Sequence, residues 1–209
     1  MTQEKNDLLL NADELKLLSE VISANNDGDS NALEYGINCS AKGEAVLSQI
    51  GKANTLELSA SYGNHLLVFP VLIENNDFSN LKMTLKPPEI FETGDTLRSW
   101  RLTTHKEKVY FINKSGDQLN FQIEDLSASG ISFLIDPKTK VEFPSVLDNA
   151  FLLLPNQQKL SLSGLKISRI DDKRVAYSLG KEVDQAVLTS LYEYLFECHL
   201  KKYPDAFPN

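Results

Sequence analysis

The chain has 209 residues, 29 acidic against 21 basic side chains, a formal charge of −8 and 42% hydrophobic content. This is a globular composition, long enough for one large core or two small ones, and its acidity argues against general nucleic-acid binding, which calls for a basic surface. The longest apolar run, 66–73, is interrupted by Pro70 and too short for a membrane span. The opening residues M-T-Q-E-K-N-D carry no secretory signal. Cys39 and Cys198 stand far apart in no metal-ligand pattern, so free thiols in a reducing cytoplasm are the simplest account.

Asn11 followed by Glu14 has the form of a capping box, and Leu15, Leu18, Val21 and Ile22 then fall on one face, which predicts an N-terminal helix. The polar stretch 25–29 (N-N-D-G-D) ends it. Apolar runs at 56–58, 66–73 and 81–85, punctuated by Asn, Asp and Gly, predict a small antiparallel sheet. Pro87-Pro88 and the turn at 93–95 mark a domain boundary, giving a first domain at 1–95 and a second at 96–209. The second is strand-rich again, with runs at 109–112, 119–123, 131–135, 151–154, 160–167 and 174–179. Short strands at this spacing predict a compact barrel or sandwich. Asp184 then caps a closing helix whose stripe is Val187, Leu188, Leu191, Leu195 and Cys198.

No catalytic constellation stands out. His65, His105 and His199 are scattered, which disfavours a metal site. Ser127 lacks the G-x-S-x-G context of an activated nucleophile, and the glycines form no phosphate loop. Neither an enzyme nor a bound cofactor or metal is expected.

Two stretches are unusual for this chain. The segment 97–108 (L-R-S-W-R-L-T-T-H-K-E-K) sets Arg98, Arg101, Lys106 and Lys108 against one acid, Glu107, and holds the single Trp. It reads either as a solvated linker or as an anion site, since the arginine fork suits phosphate and nucleobase edges. The segment 123–133 (I-E-D-L-S-A-S-G-I-S-F) interrupts a period-two apolar pattern with Asp125, Ser127, Ser129 and Gly130. It reads either as a plain hairpin turn, with Gly130 supplying a positive φ, or as a polar knuckle presenting a carboxylate and hydroxyls.

Together, in this order, the two stretches resemble the PilZ domain, the bacterial cyclic di-GMP receptor module. Its pattern is R-x-x-x-R followed some two dozen residues later by [D/N]-x-S-x-x-G. D125-L-S-A-S-G130 fits the second motif completely, and Arg101 fits the last arginine of the first. Leu97 stands where the first arginine belongs, and Arg98 follows one step later, so the match is R-x-x-R. The resemblance covers roughly 97–200. It implies a mainly β protein: a six-stranded barrel with a C-terminal helix, preceded by a small β-rich domain with an N-terminal helix. The first half is loosely similar in layout to the N-terminal domain of the flagellar brake family.

The same resemblance implies a non-enzymatic cytoplasmic receptor for cyclic di-GMP. Arg98 and Arg101 would grip the ligand, and Asp125, Ser127 and Gly130 would form the opposing wall. Such a receptor would relay the second messenger to a protein effector in motility, biofilm or exopolysaccharide control. The partner classes left open are flagellar, pilus or polysaccharide machinery and self-association as a homodimer. The rival reading is an adaptor of the same fold that binds no nucleotide, which Leu97 favours and the intact second motif disfavours.

Overall fold

The computed structural model describes residues 56–73, 83–104, 107–119, 122–135, 143–148 and 150–204. The N-terminal helix expected from Asn11 lies outside them. The described chain is mainly β, with antiparallel strands and a C-terminal helix. It divides into two compact units, one running to Thr96 and taking in the chain from Leu200 onward, the other Leu97–His199.

The first unit contains β1 (Leu56–Tyr62), β2 (His65–Ile73), β3 (Met83–Leu85) and β4 (Glu89–Glu92). β1 and β2 form a hairpin closed by the pair Tyr62 and His65. Gly63, at φ 56, supplies the left-handed first position that a two-residue type II′ turn requires. β2 is the centre of this sheet. It pairs with β1 along one edge and with β3 and β4 on the other, and Ala60, Leu67, Phe69 and Ile90 are buried. The di-proline at Pro87-Pro88 is not a boundary: both prolines are buried, and β4 follows at once and joins β2.

In the second unit β5 (Arg98–Ser99), β6 (Arg101–Thr103), β7 (Tyr110–Ile112), β8 (Gln122–Ser127) and β9 (Gly130–Leu134) come first. They are followed by β10 (Val146–Leu147), β11 (Ala150–Leu153), β12 (Lys159–Leu162), β13 (Leu165–Ile170) and β14 (Arg174–Ser178). A six-stranded sheet runs β10-β13-β14-β9-β8-β6, and a three-stranded one runs β12-β11-β7. Their inner faces meet in one core. Phe111 of the small sheet stands edge-on to Phe133 of the large one at 5.1 Å, and Phe133 in turn to Tyr177 at 5.9 Å. The run at 160–167 is two strands rather than one. Gly164 turns the chain at φ 71, with its N–H donating to Asp148 Oδ1 at 3.0 Å, so that β12 and β13 enter different sheets.

The closing helix α1 (Gln185–Lys202) is capped as its sequence predicts: Asp184 Oδ1 accepts the Ala186 N–H at 2.7 Å. Its buried arc is broader than the expected stripe. It adds Tyr194, Phe196 and His199 to Leu191, Leu195 and Cys198, while Val187 and Leu188 are only half-buried. No described helix is long and apolar enough to cross a membrane.

His65 makes the first unit sensitive to acid. Burial lowers its imidazole pKa below the ordinary 6.5, against the opposing pull of Glu92 across the strand pair and with a smaller push from Lys202. The unfolded chain therefore binds a proton that the folded one refuses. Stability should fall as pH drops below about 6.5, the ordinary value, until folded His65 itself takes up the proton. Thermal unfolding followed between pH 7.5 and 5 (roughly the range over which histidine titrates) should show this loss, and His65→Gln should flatten it.

Candidate functional site

The site begins with a register shift. Ile123 and Leu126 both lie in the core, three residues apart, which a strand of period two cannot achieve. The pairing of β8 with β9 shows how: Ile123 stands opposite Phe133, but Asp125 stands opposite Ser132, so Glu124 is an extra residue in a β-bulge. Were Glu124 a regular member of the alternation, Asp125 would share the inward face of Ile123. With the bulge, Asp125 and Ser127 share the outer face. The bulge is held from β6, where buried Thr104 donates its hydroxyl to the Ile123 carbonyl at 2.8 Å and reaches the Glu124 carbonyl at 3.4 Å.

The motif then turns back on itself. Ser127 pairs with Gly130, leaving Ala128 and Ser129 at the tip of a two-residue loop. Neither tip residue takes a positive φ, so this is not one of the primed turns that match strand twist unaided. Ser127 closes it instead. Its Oγ accepts the Gly130 N–H and its hydroxyl donates to the Gly130 carbonyl, both at 3.1 Å, with Ser129 Oγ at 3.3 Å. Just past the end of β14, the Leu179 N–H donates to the Ser129 carbonyl at 2.9 Å. The expected positive φ at Gly130 is absent. Glycine is required there for space: a β-carbon would collide with the Tyr177 carbonyl oxygen of β14.

The basic segment is a strand where it matters, not a linker. β6 pairs antiparallel with β8, which sets Arg101 opposite Ser127 and Thr103 opposite Asp125. Trp100 and Leu102 are buried and anchor this stretch, so the single Trp is part of the core and offers no stacking surface. Arg101 therefore points outward, its Nη1 4.0 Å from Asp125 Oδ2, with 61% of the arginine side chain and 15% of the aspartate exposed. A pair this long and this open is worth about 0–1 kcal/mol, so an incoming anion displaces little. Arg98 lies in β5, exposed and outside the six-stranded sheet. The structure thus brings Arg101, Asp125, Ser127 and Gly130 together and sets Arg98 apart from that sheet. Leu97 is 55% exposed.

One neighbour escaped the sequence reading. Ser132 stands opposite Asp125 on one side and Ala176 on the other, on the same face. It is buried, and its Oγ has no hydrogen-bond partner among the described residues. Its spacing of two from Gly130 is the signal that would have found it. Farther along the face, Arg174 is engaged by Glu124 at 3.4 Å and by Asp171 at 3.9 Å. The chemistry on offer is recognition: a guanidinium, a carboxylate and a backbone turn on one wall. Ser127 is committed to the turn, and no cluster of three His, Cys, Asp or Glu able to hold a metal occurs among the described residues.

Two substitutions separate the structural demands of this wall. Gly130→Ala should destabilise the second unit by about 1–3 kcal/mol, the usual range for overpacking, because β9 and β14 must move apart. Ser132→Ala should be neutral or stabilising, since it removes a buried hydroxyl that lacks a partner. Denaturant titration of the two variants against the parent checks both.

No protein-family model and no curated protein sequence matches the chain. Among solved structures it is similar to YcgR from Escherichia coli in complex with c-di-GMP, at 14% identity and a TM-score of 0.41, covering 92% of each chain. It is similar to the K. pneumonia MrkH–c-di-GMP complex at 14% identity and a TM-score of 0.42, covering 73% of this chain and 74% of that one. The Bacillus subtilis inhibitor of motility, MotI/DgrA, is similar at 13% identity and a TM-score of 0.37, covering 71% of this chain and 90% of that one.

Proposed function

We propose that this protein is a non-catalytic receptor for cyclic di-GMP, which it binds at the outer face of β6, β8 and β9 and whose level it relays to a protein partner. The observation that carries this reading is the register that sets Arg101 opposite Ser127 and beside Asp125. Residues separated by two dozen positions in the chain become one wall, in the order that the PilZ motifs require. Arg101 supplies a planar fork of donors for a phosphate or a guanine edge. Asp125 accepts from a guanine edge or fixes the arginine. Ser127 and Gly130 hold the turn that shapes the wall, and Arg98 contributes a second guanidinium from β5.

A second reading rests on Leu97. An exposed leucine where the family has an arginine suits a protein contact better than a nucleotide contact, and an adaptor of this fold that binds no nucleotide would carry such a residue.

Isothermal titration of the full chain with cyclic di-GMP decides between them. Binding is expected, and Arg101→Ala should weaken it more than Arg98→Ala. Loss of the charge-assisted bonds of one arginine costs about 1.5–3 kcal/mol, or roughly tenfold to more than a hundredfold in affinity. Asp125→Ala should weaken binding as well. Leu97→Arg should strengthen binding without destabilising the fold, because the side chain it replaces already faces solvent. No heat and no thermal shift at ligand concentrations well above the micromolar range would leave the adaptor reading in its place.

A further inference from the structure

Thr104 lies at the end of β6, one residue beyond the pair Thr103 and Asp125. It is 4% exposed, and its own carbonyl accepts the Glu107 N–H at 2.9 Å, which fixes the backbone as the chain leaves the strand. Its hydroxyl donates to the Ile123 carbonyl at 2.8 Å and reaches the Glu124 carbonyl at 3.4 Å. Those two carbonyls flank the place where β8 carries one residue more than β9. A bulge disturbs the ladder at such a point, and a buried carbonyl without a donor is costly.

We propose that Thr104 is a positioning residue for the ligand site: its hydroxyl clamps the Glu124 bulge and so turns Asp125 onto the face that carries Arg101. This rests on the receptor reading for its binding consequence, and on the register alone for its structural one. β6 and the residue that follows it therefore make two contributions. Arg101 stands on the outer face, and three residues later a buried hydroxyl orients the carboxylate that Arg101 meets. A valine of the same shape would fill the space and take the hydroxyl away from the two carbonyls. The bulge would then be free to rearrange, and Asp125 would lose its fixed direction.

The test compares Thr104→Val with Thr104→Ser by titration of cyclic di-GMP. The valine variant is expected to bind about tenfold more weakly, the size of effect that loss of one hydrogen bond to a charged or positioned group produces. The serine variant keeps the donor and should stay within about twofold of the parent. In an Asp125→Ala background, Thr104→Val should add almost nothing, because the residue acts through Asp125. An equal loss in both backgrounds would overturn the proposal and leave a general packing role.

A second variant makes the same test should Thr104→Val fail to fold. Deletion of Glu124 removes the extra residue and leaves regular alternation, with Asp125 outward between Ile123 and Leu126. Thr104→Val should then have no effect on binding, and a persisting loss would again overturn the proposal. Cross-strand NMR contacts between Asp125 and Ser132 in the ligand-free protein separate the two claims. If the parent binds no cyclic di-GMP, the receptor reading fails. Loss of those contacts in Thr104→Val but not in Thr104→Ser would still uphold the clamp, and their survival in both would refute it.

Discussion

One surplus residue in β8 governs the outer face of this protein. Because Ile123 and Leu126 both insert into the core, the strand must gain a residue between them, and Glu124 is that residue. The polar groups of β8 take their direction from this shift. Asp125 is turned outward, Ser127 follows two residues later at the turn, and Ser132 and Arg101 are brought to the same face by the partners on either side. A bulge bends its strand and increases the local twist, so the core does not merely support the site. Core packing at two positions decides which side chains can belong to it.

The wall is also anchored from beneath. Trp100 and Leu102 are buried on one side of the arginine strand, and Trp100 meets His199 edge-on at 5.1 Å. Leu126, Ile131 and Tyr177 lie beneath the hairpin, and Tyr177 is tied by its hydroxyl to the Pro144 carbonyl at 2.7 Å. Burial holds that phenol at a pKa of about 12, so it remains a donor across the physiological range. These contacts fix the backbone on either side of Arg101 and beneath the turn.

Much of this was legible in the residues. The apolar runs located most strands because burial on one face imposes period two, and Asp184 announced the helix by its capping chemistry. D-L-S-A-S-G130 and Arg101 were readable as partners only through the order of motifs, since no local rule says that positions two dozen residues apart will pair. The plain-turn alternative for Gly130 rests on a positive φ, but here glycine answers to the nearness of a neighbouring carbonyl, which is tertiary information. The strands of the arginine segment are invisible in the sequence because they are only two and three residues long, below the length at which periodicity can be counted. Thr104 and Ser132 were silent for a related reason. Their importance comes from the strand beside them and not from their own neighbours in sequence.

β6 ends the order of the six-stranded sheet. A terminal strand offers a row of unpaired peptide groups on which another chain can zip up, and proteins blunt such margins with brevity and charge. β6 has both, being three residues long with Arg101 and Thr103 facing solvent. Arg101 thus also places a charge on this margin, the kind of residue that discourages strand addition. Replacing it with an apolar residue would take that charge from the margin whether or not the wall binds anything.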